Sequence, residues 1–191
     1  AIENVLTGFK YIGEKLQHYL DSGEHTFLMG YEESYGYLFG DYARDKDACV
    51  ASMMIAEAAA YYRSRGMTVY DALMSVFERY GFSVEKTLNL VMPGLDGAEK
   101  MKKMMQGLRS EPPKDIGGVS VLSVKDYSQG LDGLPKANVL SYALEDGSTL
   151  IVRPSGTEPK VKVYIMTSGK DEAEAKAKEE RLETGFKEKH A

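Results

Sequence analysis

Four strand-length apolar runs crowd the second half of this chain, at 119–124, 139–144, 148–152 and 161–166, and the links between the last three are short. Glu145-Asp146-Gly147-Ser148 sets Asp-Gly between two of the runs, a strong signal for a tight hairpin. Strands joined this closely are expected to be antiparallel neighbours. The end of the chain should therefore form a small antiparallel sheet. A charged helix from Asp171 to Lys189 should pack on it through Ala175, Leu182 and Phe186, capped by Ser168, with its charged residues forming a solvated face.

The first half reads differently. Phe9, Ile12, Leu16, Tyr19 and Leu20 recur at helical spacing, and Thr26 to Met29 form a short apolar strand, which is α/β organisation. From Lys46 to Arg65 the sequence is apolar nearly all round and closes at Gly66, so a buried helix is expected, with Cys49 as a buried structural thiol. Thr68 with Asp71 forms a capping-box start for a third helix, carrying Val69, Leu73, Val76, Phe77 and Tyr80 on one face; the Met and Tyr residues here read as packing groups. A change of character follows near Phe82, which divides the chain into 1–82 and 83–191. Thr87 to Val91 reads as a strand. Asp96 with Glu99 caps a helix bearing Met101, Met104, Met105 and Leu108, and Pro112-Pro113 ends it.

Composition narrows the possible functions. A length of 191 residues with 43% hydrophobic content suffices for one or two packed domains. No run is long and apolar enough to cross a bilayer, so a soluble chain is expected. A net charge of −5 disfavours a general nucleic-acid binder. The single cysteine rules out an intrachain disulfide and suits a reducing compartment. His18, His25 and His190 show no metal-ligand spacing and read as surface or packing residues.

Two motifs carry chemistry. Between the strand at 150–152 and the strand at 161–165 lies Arg153-Pro154-Ser155-Gly156-Thr157-Glu158-Pro159-Lys160. Arginine offers a planar fork of donors, two hydroxyls flank a glycine free to take backbone conformations closed to other residues, and a lysine follows. Such a loop, mounted rigidly between strands, can surround an oxyanion; the plain alternative is a polar hairpin. The second motif is Gly30-Tyr31-Glu32-Glu33-Ser34-Tyr35-Gly36, followed by Gly40-Asp41-Tyr42-Ala43-Arg44-Asp45-Lys46-Asp47. Adjacent carboxylates and a serine suit the paired hydroxyls of a sugar. Here the alternatives are an acidic turn and a salt-bridged helix start, with Asp45 or Asp47 as the cap.

Taken in order, Thr7-Gly8-Phe9-Lys10, Glu32-Glu33-Ser34, Arg44-Asp45-Lys46-Asp47 and Arg153-Pro154-Ser155-Gly156-Thr157 resemble the α-D-phosphohexomutase superfamily. The likeness is closest to its bacterial phosphoglucomutase/phosphomannomutase branch, and it covers essentially the whole chain. The resemblance implies an α/β portion followed by an α+β portion. The first is part of an α/β sandwich domain, the family's domain 3; the second is domain 4, a small antiparallel sheet packed with helices, like that of TATA-box-binding protein. It also implies a cytoplasmic isomerase in which an enzyme phosphoserine and a sugar bisphosphate intermediate interconvert sugar 1-phosphate and 6-phosphate.

By the same resemblance, Glu32 and Ser34 grip sugar hydroxyls, and Arg153, Ser155, Gly156 and Thr157 grip phosphate. Lys10, Arg44, Lys46 and Lys160 are further ligand contacts, and Lys46 is an assisting group near the reacting oxygen. Asp45 and Asp47 beside Lys46 should keep it charged, which favours electrostatic positioning over proton transfer.

The family's phosphorylated serine, in a Thr-Ala-Ser-His-Asn-Pro-like loop, and its Asp-rich magnesium loop do not occur in this sequence. The chain, which begins at Ala1 without a methionine, is thus expected to be a C-terminal piece. Magnesium, the missing N-terminal domains and sugar 1,6-bisphosphate belong to the parent enzyme, and the piece alone should be inactive. It should expose apolar surface and associate as concentration rises. Tyr31 stands where much of the superfamily has glycine, which leaves hexose or pentose, and glucose or mannose, open. A free-standing sugar-phosphate-binding or interaction module is the competing reading, and the presence or absence of an upstream catalytic segment distinguishes the two. A nucleic-acid module on the small sheet is disfavoured by the acidity and by the lack of interleaved aromatic and basic residues.

Overall fold

Residues 2–190 are described in the structure, a computed structural model. The chain divides into two compact units that meet in sequence at Ser75 and Val76.

In the first unit, helix α1 (Phe9–Ser22) is followed by an antiparallel hairpin of β1 (Met29–Glu32) and β2 (Gly36–Phe39), then by α2 (Ala48–Arg63). Helix α3 (Val69–Tyr80) runs across the division. Phe9, Ile12 and Leu16, spaced to fall on one side of α1, form a small core with Leu38 of β2. The expected strand at 26–29 is displaced. Strand β1 begins at Met29 and continues through the acidic motif, because Glu32 pairs with Gly36 and closes a tight turn. Asp47 is the N-cap of α2, and its Oδ1 accepts from the amides of Cys49 (2.7 Å) and Val50 (3.2 Å). The capping box of α3 forms as the sequence predicts: Thr68 N donates to Asp71 Oδ2 at 2.7 Å, and Asp71 N to Thr68 Oγ1 at 3.1 Å.

Burial in this unit departs from expectation. No residue of α2 is buried, and Met53 and Ile55 are each 59% exposed. Cys49 is exposed as well, in the first turn of α2. A helix apolar all round needs covering elements on every side, and the element packed on α2 within this unit is the short strand β2. The predicted face of α3 is likewise open at Leu73, Val76 and Tyr80, while Ala72 is the buried residue. Tyr61, Tyr70 and Tyr80 are therefore exposed rather than packed.

The second unit is a six-stranded sheet in the order β3-β8-β7-β6-β5-β4, antiparallel throughout. Its strands are β3 (Phe82–Val91), β4 (Asp115–Ile116), β5 (Val119–Asp126), β6 (Leu140–Leu144), β7 (Thr149–Pro154) and β8 (Lys160–Gly169). Strand β3 is twice the expected length, because it pairs with β8 along all ten of its residues. Alternation sets the faces. Leu140, Tyr142, Leu144, Leu150, Val152, Val161, Val163 and Ile165 are all nearly or fully buried on one side. Helices α4 (Gly97–Ser110) and α5 (Glu172–His190) contribute Met105, Leu108, Leu182 and Phe186 to the same core. Each such side chain stabilises the fold by about 1.5–3 kcal/mol relative to exposure.

Polar pins fix the helices in place. Thr167 Oγ1 lies 3.1 Å from the carbonyl oxygen of Val84 and 2.9 Å from that of Ala175, tying β8 to β3 and α5. Glu179, read from sequence as part of a solvated face, is instead buried, because Lys86 on β3 reaches it at 3.3 Å. Two caps also differ from expectation. Asp171, not Ser168, caps α5, accepting from Glu174 N at 2.8 Å, while the Ser168 carbonyl accepts from Lys178. Asp96 stands at the N-cap of α4 without capping it, since its carboxylate pairs with Lys100 at 2.9 Å. At the sheet edge, Gly185 of α5 touches the β4–β5 turn: a Cβ added there would stand 2.3 Å from the Cα of Gly117.

Candidate functional site

The two motifs lie on separate units, each on a hairpin. In the second unit, Arg153 and Pro154 end β7, Lys160 starts β8, and the intervening loop is closed by Ser155 N donating to Lys160 O at 2.9 Å. The Ser155 hydroxyl faces into the loop, 3.4 Å from Thr157 N and 3.3 Å from Glu158 N. Gly156 does not use a left-handed conformation, contrary to expectation. A Cβ there would meet nothing within 4 Å, so this glycine leaves the mouth of the loop open. Lys160 pairs with Glu158 at 2.6 Å, an ion pair that braces the foot of the loop.

Arg153 stands directly across the ladder from Lys162 of β8. Cross-strand partners share a face and lie close, and two like charges so placed repel by about 0.2–1 kcal/mol. No ion pair relieves either residue among the described residues, and Arg153 Nε is buried without a hydrogen-bond partner. A buried donor left unmade costs about 1–3 kcal/mol. The foot of the loop is thus a concentration of positive charge lacking its acceptor.

In the first unit, Glu32 ends β1, Ser34 lies at the exposed turn and Gly36 begins β2. Gly36 is buried beneath two predicted site residues. A Cβ on it would stand 2.9 Å from Glu32 Cγ and 3.0 Å from Lys46 Cδ. Lys46 also lies over the Phe9 ring at 5.7 Å and pairs with Asp45 at 3.0 Å. Hydrogen bonding to Asp45 raises its pKa, with Glu32 adding to the effect, so Lys46 stays a cation. Asp47 turns away to accept from the Tyr42 hydroxyl. That bond lowers the Asp47 pKa and pushes Tyr42 up to about 12. Lys10 and Lys46 line one concavity together with Arg44. Arg44 is already occupied, however. Its Nε and Nη2 donate to Gln17 Oε1 at 2.9 and 2.7 Å, and its Nη1 donates to Asp41 O at 2.8 Å.

Among the described residues, no group of three His, Cys, Asp or Glu side chains is arranged to hold a metal ion. No helix is long and apolar enough to cross a membrane.

The description "phosphoglucomutase/phosphomannomutase, alpha/beta/alpha domain III" matches residues 1–80, and that family's C-terminal domain matches residues 95–183. The chain belongs to the phosphoglucomutase/phosphomannomutase family.

Within that family, a phosphoglucomutase of Staphylococcus epidermidis is 35% identical, the match covering 87% of this chain and 32% of the relative. One from Staphylococcus haemolyticus is 35% identical over 86% of this chain and 32% of its own length. A Staphylococcus aureus phosphoglucomutase is 33% identical over 85% and 31%. The chain spans about a third of the length of the curated relatives it matches. The fold also matches the open form of the Paramecium exocytosis-sensitive phosphoprotein parafusin, a phosphoglucomutase. The TM-score is 0.63 at 20% identity, covering 95% of this chain and 32% of that one.

Several features of this phosphoglucomutase/phosphomannomutase chain escaped sequence reasoning. Lys162 lay inside an apolar strand pattern, and only the β7–β8 register brings it opposite Arg153. Gly36 was legible as one of the motif's framing glycines but not as the floor under Glu32 and Lys46. Tyr35 takes φ 63°, a left-handed conformation unusual for a bulky side chain, with its ring 89% exposed. The hairpin that forces this conformation was itself unforeseen.

Proposed function

We propose that this chain is the C-terminal, substrate-binding portion of a phosphoglucomutase or phosphomannomutase, with residues 1–82 supplying the sugar grip and 83–191 the phosphate grip. The observation that carries the reading is the unrelieved Arg153–Lys162 pair at the foot of the Ser155–Pro159 loop, in a chain that is acidic overall. A phosphate seated there accepts from Arg153, screens the repulsion between the two cations and meets Ser155, Gly156 and Thr157. Glu32 and Ser34 accept and donate to sugar hydroxyls, while Lys10 and Lys46 supply fixed positive charge.

In the parent reaction, a phosphoserine gives its phosphate to a sugar monophosphate, and the bisphosphorylated sugar returns its other phosphate. This chain's share is positioning, which is a large part of phosphoryl-transfer catalysis. The phosphoserine and the magnesium ligands belong to other segments of a cytoplasmic parent enzyme, so the chain alone interconverts no sugar phosphate.

Titration with glucose 6-phosphate, read by backbone-amide NMR with orthophosphate as control, tests this reading. Both ligands should shift Ser155–Thr157, and only the sugar phosphate should shift Glu32–Ser34. Shifts at neither motif, or only elsewhere on the chain, would refute the assignment.

A further inference from the structure

The loop between β7 and β8 has two limbs, and helix α4 lies beside both. The first limb, Pro154 to Gly156, lines a groove together with Ala98, Met101 and Met105 of α4. The second limb continues the β3–β8 ladder. Val91 pairs with Lys160, and one step further Met92 N donates to Pro159 O at 2.8 Å. The bond from Ser155 N to Lys160 O joins the two limbs at their base. Immediately after Met92 the chain turns through Pro93-Gly94-Leu95-Asp96 into α4, so the start of that helix returns to the strand end it has just left.

The close approach falls on Gly97, the first residue of α4, which is buried. A Cβ built on it would stand 2.1 Å from Met92 O and 3.1 Å from Pro159 Cβ, the two residues whose backbones bridge β3 to the loop. Non-bonded heavy atoms settle at about 3.5–4.0 Å, so an alanine here must push the helix and the bridge apart by on the order of 1 Å. The backbone of Gly97 is not in the left-handed region, and the constraint is one of space alone. The helix is the fixed party. Met105 and Leu108 are buried in the core, and at its far end Arg109 donates to Asp126 at 2.7 Å and to Asn138 at 2.8 Å. The loop limb is what would give way.

We propose that Gly97 is a positioning residue for the phosphate loop: by presenting no side chain, it lets α4 seat against the Met92–Pro159 bridge and so sets the spacing of the two limbs. This rests on the phosphate-loop reading above. Gly97 touches no ligand itself. The groups that grip a phosphate, on Arg153 and Ser155 to Thr157, depend on that spacing, because hydrogen bonds weaken steeply with misplaced donors. A loop held from both sides before the ligand arrives loses less conformational freedom on binding. The turn at 92–97 thus acts on affinity from behind the loop.

The test measures orthophosphate binding to the chain itself, by calorimetry and amide NMR, for the natural sequence, Gly97→Ala and Gly107→Ala. Gly107 lies on the same helix but is exposed, and a Cβ there meets nothing within 4 Å, so it receives the same methyl group away from the loop. Gly97→Ala should bind orthophosphate about tenfold more weakly, as expected for the loss of one charge-assisted hydrogen bond, and Gly107→Ala should bind as the natural sequence does. The ligand-free amides of Ser155 to Glu158 should move in Gly97→Ala only. Affinity is read on folded molecules well below the unfolding midpoint, so a loss of stability alone leaves it unchanged. In the natural sequence, saturating orthophosphate should slow hydrogen exchange at the Met92 amide, which closes the second limb, and this measurement decides the matter if Gly97→Ala does not fold. Natural affinity in Gly97→Ala, an equal loss in Gly107→Ala, or Met92 exchange indifferent to phosphate overturns the positioning role while sparing the loop. Absence of phosphate shifts at 155–157 in the natural sequence overturns the loop assignment and the positioning role together.

Discussion

Arg153 and Lys162 face each other across the β7–β8 ladder, so the phosphate loop stands on two adjacent cations that nothing within the described residues neutralises. Replacing either should have opposite effects on stability and binding. Lys162→Thr relieves a repulsion of about 0.2–1 kcal/mol, so it should raise the unfolding midpoint of the ligand-free chain and shrink the stabilisation gained from added phosphate. Arg153→Ala removes charge-assisted bonds to a phosphate worth about 1.5–3 kcal/mol, and should weaken phosphate binding at least tenfold in calorimetry. Unchanged affinity in Arg153→Ala would remove Arg153 from the site.

Gly36 is the floor under Glu32 and Lys46. Its backbone is not in the left-handed region, so alanine fits the chain geometry and the effect is steric alone. Gly36→Ala should displace the two side chains above it. The shifts that glucose 6-phosphate causes at 32–34 should then fall while those at 155–157 persist.

Tyr35 carries a left-handed backbone that costs a bulky L-residue roughly 1–2 kcal/mol. With its ring 89% exposed, little packing is lost on removal. Tyr35→Gly should therefore stabilise the first unit by about 1 kcal/mol in chemical denaturation. A destabilised variant would mean that the ring makes contacts more valuable than the strain it imposes.

Tyr142 is fully buried beneath the sheet, and its hydroxyl donates to the Leu108 carbonyl at 3.2 Å. Burial pushes the phenol up to about 12 from its ordinary value near 10.0. The folded state thus keeps a proton that the unfolded state releases first. The stabilisation linked to that proton is complete below about pH 10 and is lost as pH rises through about 12. Tyr142→Phe should remove this alkaline dependence, and it should cost about 1–3 kcal/mol at neutral pH because the buried Leu108 carbonyl loses its donor. Denaturation curves at pH 8 to 11 would read both effects.

What the sequence revealed was local. The Asp146-Gly147 turn, the alternation in β6 to β8 and the Thr68–Asp71 box are each written within a few residues, and each appears in the structure as read. What it concealed depends on partners distant in sequence. The apolar content of α2 reports an appetite for burial, not the presence of a cover, and so Cys49 and Met53 are exposed. Glu179 looked solvated until Lys86, far away in sequence, came to lie beside it. The loop motif was recognisable by its residue types, but its electrostatic character required the register that brings Lys162 opposite Arg153. Ser168 lost its capping role to Asp171 because Ser168 lies within β8, paired with Ser83 of β3, and the helix starts only at Glu172.

The contact between Gly117 and Gly185 restricts the ways this sequence can change. Most tight contacts in a core drift through paired exchanges in which one side chain grows as its neighbour shrinks. Here both neighbours are already at the minimum, so enlargement on one side has no compensating reduction on the other. A lineage carrying this contact leaves it only by moving the end of α5 away from the sheet edge, and the two positions should persist or be abandoned as a pair.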